Sequence, residues 1–360
     1  MKTLHIKAML GLVFALAIAG CEQSPQGMNP HQGAAPQGAM AAKSGAVPAA
    51  QSGIAKQGGG DVRQLFIGKS QPLLTGQAHI SILAANSEKQ NARVRVKELR
   101  RPSAMVFAPD GTLYFITDYE SGTENAVMAI LPGFTSELVA HSPQYGYAAG
   151  ESGRIPMYGY LGGLSLSKGG ELLTIVNDQD PYQIDLKTGE MSFISFIHPS
   201  GKKIIGVVDY GTAGLKSYGE WSFSHIQTDM EGRIVLYNGG IHKWQRYRYG
   251  EKIKEISNLL DLPPAAYLVE ANPWENIFFT TLGPDGYIYA VEDGKKPRAP
   301  DRVIRIGDPG LSSLRKDASR VAIAEFKHGD LTGALAFSPK GDLAVGAKNA
   351  IYLISPTPAK

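Results

Sequence analysis

Oxygen-bearing side chains recur about seven residues after a series of glycines in this sequence. They are Asp118, Asn177, Asp178, Asn238 and Asp293. Several such oxygens close together are what a hard cation such as calcium requires. The predicted ligand-binding residues are Asp118, Asn177, Asp178 and Asn238, and the predicted calcium ligands are Asp118, Asn177, Asp178 and Asp293. The alternative is structural, because Asp and Asn also suit loop starts by bonding their own backbone.

One titratable residue stands on the other side of the same glycine series. His225 precedes Gly232 by seven residues, where the other repeats carry Ala, Gly or Phe. Histidine is the commonest general base, because the pKa of its imidazole lies near neutral pH. A carboxylate beside the imidazole can orient the ring. His225 and Asp293 are therefore the candidate catalytic residues if the protein is an enzyme.

The elements that must position these residues form five similar segments, which align without a gap. They are AMVFAPDGTLYFITD (104–118), GLSLSKGGELLTIVN (163–177), HIQTDMEGRIVLYNG (225–239), FTTLGPDGYIYAVED (279–293) and ALAFSPKGDLAVGAK (334–348). Each has two stretches of apolar alternation around a turn whose glycine supplies a positive φ, which is typical of an antiparallel hairpin. A weaker strand pair follows most copies, so the pattern predicts four strands per repeat.

Repeats of four strands at intervals of 54 to 62 residues indicate an all-β fold of the β-propeller class. The last repeat has only three strands, so we expect the amino end to supply the fourth, from residues 92–99 or 63–69. Counting HISILAA (79–85) as well leaves room for a degenerate sixth blade, and six blades are expected although five remain possible. Two stacked β-sandwiches are the alternative fold.

The recurring "PDG-hydrophobic" turns resemble the six-bladed propellers of the NHL and SMP-30/gluconolactonase-like group over residues 100 to 356. Members similar to SMP-30 bind their metal through Glu, Asn and Asp side chains, so the resemblance implies a metal-dependent lactonase. The matching strand openings here read Gly162-Gly163-Leu164 and Ser224-His225-Ile226, which depart from that ligand pattern.

The amino-terminal residues predict export and lipid attachment. Lys2 and Lys7 flank the start of a short apolar segment, which is typical of a signal peptide. Ile18-Ala19-Gly20-Cys21 resembles the bacterial lipobox, and Cys21 is the single cysteine of the chain. The resemblance implies cleavage after residue 20 and acylation of Cys21, with palmitate-like chains. Glu22 rather than Asp after the cysteine implies the outer membrane of a Gram-negative bacterium.

Composition divides the rest of the chain. Residues 21–60 are rich in Gln, Ala, Gly, Pro and Ser, which predicts a lipidated, disordered linker reaching roughly 35 Å. Residues 61–360 are the predicted propeller domain. The formal net charge of +3 includes Lys2 and Lys7 of the signal segment, and a nearly neutral mature chain argues against nucleic acid as the partner.

No Walker loop, GxSxG, GxGxxG or HExxH pattern occurs. The leading hypothesis is therefore a membrane-anchored lipoprotein whose propeller is a binding or scaffolding platform for an envelope protein or glycan, without chemistry of its own. The alternative is a periplasm-facing hydrolase or lactonase with its site at the propeller channel, or a quinone-dependent sugar dehydrogenase.

Overall fold

A computed structural model describes the chain between residues 71 and 356, with gaps. The described ranges are 71–76, 78–87, 91–119, 124–141, 144–146, 156–158, 161–176, 180–194, 196–197, 203–204, 223–229, 232–238, 242–247, 252, 254–257, 262–266, 274, 276–294, 299–309 and 316–356. All of them belong to one compact unit, Gly59–Lys360. The predicted signal peptide, Cys21, the linker and the candidate strand at 63–69 lie outside the described residues.

Five sheets, each with four antiparallel strands, dominate the described part of the domain, and we call them blades I to V. Blade I is β3 (Ala104–Phe107), β4 (Leu113–Tyr119), β5 (Glu124–Ile130) and β6 (Ser136–His141). Blade II is β9 (Leu161–Leu166), β10 (Leu172–Val176), β11 (Asp180–Ile184) and β12 (Met191–Phe193). Blade III is β15 (Phe223–Thr228), β16 (Ile234–Asn238), β17 (Lys243–Tyr247) and β18 (Lys254–Glu255).

Blade IV is β19 (Ile277–Leu282), β20 (Ile288–Glu292), β21 (Asp301–Ile306) and β22 (Arg320–Phe326). Blade V is β23 (Leu331–Phe337), β24 (Leu343–Ala347), β25 (Ala350–Ser355) and β1 (His79–Ala85), with β2 (Val94–Arg95) added in parallel to β1. Two short pairs, β7 (Gln144–Gly146) with β8 (Pro156–Tyr158) and β13 (Phe196–Ile197) with β14 (Lys203–Ile204), lie between the blades in sequence. A 3-10 helix spans Pro264–Ala266.

The repeated turn has the same geometry in every blade. Its glycine has a φ of +93°, +90°, +77°, +82° and +88° at Gly111, Gly170, Gly232, Gly286 and Gly341. In each case the glycine amide donates a hydrogen bond to the carbonyl three residues earlier, at 2.9 to 3.0 Å. These φ values lie in the region that favours glycine. The hairpin prediction is confirmed at all five positions.

The amino end closes the last blade, but through a different strand from those expected. β1 pairs antiparallel with β25, from His79 opposite Ser355 to Ala85 opposite Ala350. Of the expected segment 92–99, only β2 forms a strand, at the outer edge. The assignment of 92–99 as the closing strand is therefore wrong, and HISILAA belongs to blade V rather than to a sixth blade. Its buried Leu83 and Ala84 supply the apolar face that a closing strand needs.

The blades pack face to face around a row of inner strands. Within the described part, β9 contacts β15 and β3, β3 contacts β23, and β23 contacts β19. Separate apolar clusters fill the spaces between blades V and I, I and II, and IV and V. These contacts between neighbouring blades are those of a propeller and not of the alternative fold, two stacked β-sandwiches. Five blades are found among the described residues, and the predicted sixth blade is not among them. In that same part of the chain no helix is long and apolar enough to cross a membrane.

Candidate functional site

The inner strands of four blades share a β-bulge near their first residues. The pairing shifts register at Gly163 in β9, between Phe223 and His225 in β15, at Phe279 in β19, and between Leu331 and Leu335 in β23. These inner strands begin on the side of the blades where the second strands end, and we call that side the site face. A bulge twists its strand and redirects a side chain. The same bulge therefore recurs on the site face and can expose a side chain there in each of these four blades.

Phe279 is the most exposed residue that such a bulge presents. It keeps 50% of its surface exposed, and its φ of +47° is unusual for an aromatic residue. Its ring lies directly on the backbone of Gly333 in β23, where an added Cβ would overlap it. Gly333 has a φ of +94°. The two bulges together hold an aromatic ring out of the core, on an inner strand.

Asp293 lies in a second cluster on the site face of blade IV. The Asp293 backbone N–H donates to the Asn276 carbonyl at 2.8 Å, and the Asn276 amide donates to the Asp293 carbonyl at 3.1 Å. His328 Nδ1 lies 3.6 Å from Asp293 Oδ1 and 3.4 Å from Asp301 Oδ1. Among the described residues, this is the one group of three carboxylate, thiol or imidazole side chains whose ligand atoms all lie within 4.8 Å.

Asp118 lies in a different cluster, at the end of β4. Its Oδ1 accepts a hydrogen bond from Asn125 Nδ2 at 3.2 Å, and Asn125 Oδ1 accepts one from the Leu161 backbone N–H at 3.2 Å. Burial raises the pKa of the Asp118 carboxyl above its usual range, against the lowering effect of Arg101, Asn125 and Arg100. Asp118 therefore belongs to a hydrogen-bonded link between blades I and II.

His225 and Asn238 lie in blade III. Burial lowers the pKa of the His225 imidazole below its usual value, and the ring meets the edge of Tyr237 at a centroid distance of 6.2 Å. The Asn238 side chain is fully buried, and its Nδ2 lies 3.4 Å from Gln245 Oε1. The two candidate catalytic residues, His225 and Asp293, thus lie in different blades, III and IV, and contact different neighbours. Asn177 and Asp178 lie outside the described residues, so the predicted calcium set stays a prediction.

Sequence reasoning missed Asp301 and His328. Asp301 begins β21 and His328 follows β22, and neither stands at a fixed distance from a turn glycine. The repeat that located Asp293 carries no information on them. The sequence indicates them only weakly: each is a polar residue next to a loop at one end of an apolar strand.

Comparisons with known proteins concern the fold alone. No protein-family model matches the sequence, and no curated protein matches it. A Bacteroides thetaiotaomicron structural genomics protein of unknown function is similar at 11% identity and a TM-score of 0.35, over 70% of this chain and 58% of that one. A streptogramin B lyase has 10% identity and a TM-score of 0.39, over 78% and 98%.

A gluconolactonase from Xanthomonas campestris is similar at 9% identity and a TM-score of 0.34, over 80% of this chain and 82% of that one. The chain thus spans little more than half of the Bacteroides protein but most of the other two. The five sheets and their shared glycine turn, rather than these similarities, identify the domain as a propeller.

Proposed function

We propose that this protein is a binding platform of the bacterial cell envelope. Acyl chains on Cys21 hold it at the membrane, and the propeller presents its site face to an envelope protein or glycan. The observation that carries the proposal is the exposed ring of Phe279 on an inner strand.

The conformation of Phe279 supports a binding role. A bulky residue at a positive φ costs about 1–3 kcal/mol and persists only where its surroundings impose it. Burial offsets only part of this cost, because the residue stays 50% exposed. An aromatic ring gives a ligand a large, rigid surface at a low cost in conformational entropy. Phe279 is held in this way on an inner strand of the site face, where its ring offers a rigid surface to a sugar face or an apolar side chain.

The test is recovery of a partner after crosslinking in the intact envelope. Phe279→Ala should reduce recovery at least about tenfold, as expected when a central aromatic contact is lost. Phe134→Ala is the matched control, because Phe134 is 47% exposed with a φ of +60° but lies in the β5–β6 turn, on the opposite side of its blade. Equal recovery by a folded Phe279→Ala variant, or recovery of the protein alone in repeated trials, would contradict the proposal.

The anchor is tested in the same cells by fractionation. Cys21→Ser should move the protein from the membrane fraction to the soluble fraction and abolish labelling with radioactive palmitate, because it removes the acyl chains that hold a lipoprotein durably at a bilayer. A variant that stays labelled and membrane-bound would exclude Cys21 as the lipidation site without bearing on the ligand surface.

A hydrolase or lactonase is the second candidate function, and one observation favours it. Burial lowers the pKa of the His225 imidazole and so favours its neutral form, and a neutral imidazole is the form that acts as a general base. Loss of lactone hydrolysis in folded His225→Ala and Asp293→Asn variants would support this candidate. Absence of any such activity in the parent protein would remove it.

A further inference from the structure

We propose that Asp293, Asp301 and His328 bind a divalent first-row transition metal such as Zn²⁺. The three side chains come from two loops on the site face of blade IV: Asp293 and Asp301 flank the loop between β20 and β21, and His328 follows β22. They offer one nitrogen and two carboxylate oxygens. The proposal goes beyond the partner-binding role and does not depend on it.

The separations of the ligand atoms fit a shared ion better than direct ion pairs. A charge-assisted N–H···O bond is about 2.7–2.9 Å long. The His328 Nδ1 separations of 3.4 Å and 3.6 Å exceed that range. Two ligand atoms that each lie about 2.0–2.1 Å from a tetrahedral Zn²⁺ are ~3.3–3.4 Å apart. The three side chains therefore leave room for an ion among their ligand atoms.

A buried oxygen that accepts no hydrogen bond gives the second argument. Asp301 is only 3% exposed, and its Oδ2 accepts a hydrogen bond from the Leu331 backbone N–H at 3.3 Å. Its Oδ1, the atom that faces His328, accepts no hydrogen bond within the described part of the chain. Burying a charged oxygen that accepts no hydrogen bond destabilises the folded state. A bound cation would satisfy this oxygen.

The surroundings hold the first ligands in place and leave the site open. The Leu331 amide orients the Asp301 carboxylate, and the paired bonds to Asn276 hold the backbone of Asp293. Such outer contacts fix ligand geometry. The side chains of Asp293 and His328 are 50% and 41% exposed, so the ion can enter from solvent and keep a water ligand.

The chemistry of the donors selects the class of ion. Calcium and magnesium prefer oxygen ligands only, whereas an imidazole nitrogen suits zinc, copper, iron or nickel. This distinguishes the cluster from the all-oxygen calcium set predicted from Asp118, Asn177, Asp178 and Asp293. We expect Zn²⁺ to bind more tightly than Ca²⁺.

The experiment titrates Zn²⁺ into the purified full-length chain carrying Cys21→Ser, so that no thiol competes. Calorimetry should show one ion per chain with a Kd below about 10 μM, and the melting temperature should rise with Zn²⁺ but not with Ca²⁺. Asp301→Asn and His328→Gln should each weaken binding at least about tenfold. His79→Gln, an exposed histidine in β1, is the control and should bind as the parent does.

Asp293→Asn is a third variant, and we expect it to fold because this side chain is half exposed. It should also weaken Zn²⁺ binding. Unchanged Zn²⁺ affinity in all three variants would overturn the proposal. So would the absence of binding at about 1 mM Zn²⁺, because a site built by the protein binds its metal at far lower concentrations. Neither result affects partner recovery, so the two proposals fail separately.

Discussion

Burial shifts the pKa of two residues in the blades, His225 and Asp118. His225 and Asp118 both lie near the ends of strands, and for both the largest effect on the pKa is desolvation. Desolvation disfavours the charged form, so it lowers the imidazole pKa and raises the carboxyl pKa. Both residues are thereby biased toward their neutral forms, His225 as a possible base and Asp118 as a hydrogen-bonding group beside Asn125.

The His225 shift predicts a dependence of stability on pH. The unfolded state, with an ordinary imidazole pKa near about 6.5, takes up a proton before the folded state does. The free energy of unfolding should therefore fall as pH drops through this value. His225→Gln should show a smaller fall between pH 7.5 and 5.5, measured by urea unfolding. Equal curves for the parent and His225→Gln would refute the prediction.

The first strand of each repeat determines which side chains are exposed on the site face. Gly163, Phe279 and Gly333 have φ values of +70°, +47° and +94° at their bulges. The neighbouring strand packs closely there, since a Cβ on Gly163 would lie 3.3 Å from the Ile226 Cγ2 atom. Glycine in two of these bulges permits both the backbone conformation and the close approach.

Gly333→Ala should therefore lower the free energy of unfolding by about 2–4 kcal/mol, because the new methyl group meets both an unfavourable φ and the Phe279 ring. It should also reduce partner recovery, since the ring must move. Gly133→Ala is the matched control, with no atom within 4 Å of its added Cβ, and should change stability by less than about 0.5 kcal/mol. A neutral Gly333→Ala in denaturant unfolding would show that the ring does not pack there.

At the scale of the whole molecule, the two ends of the domain meet in blade V. β1 from the amino end completes a sheet whose other strands, β23 to β25, come from the carboxyl end. Blade V also packs on blade I through a cluster that includes Leu83, Phe115 and Ile351. Opening this sheet would expose apolar surface on both sides, so the β1–β25 pairing holds the stacked blades together.

A disulfide across that pairing should stabilise the domain. His79 and Ser355 are directly opposite each other, and Cα atoms of such partners are about 4.5–5.5 Å apart, within reach of a disulfide. His79→Cys with Ser355→Cys, in a Cys21→Ser background, should raise the free energy of unfolding by about 2–4 kcal/mol when oxidised. The gain should vanish on reduction and in either single variant. An oxidised form that melts with the reduced form would argue against closure through β1.

What the sequence determined by itself is local. The hairpins around Gly111, Gly170, Gly232, Gly286 and Gly341, and hence the repeated all-β architecture, follow from apolar alternation and turn chemistry within fifteen-residue segments. The prediction that the amino end completes the last blade follows from a missing strand. The lipidation of Cys21 also rests on a short motif, and it stays a prediction.

Only the tertiary structure decided which distant segments meet. HISILAA rather than 92–99 pairs with β25, because pairing depends on the face that each strand buries against blade I as well as on strand propensity. Asp301 and His328 join Asp293 because two loops of blade IV converge, whereas Asp118, at the equivalent repeat position, bonds to Asn125. A repeat specifies where each residue lies within its own blade; the packing between strands and loops specifies its neighbours.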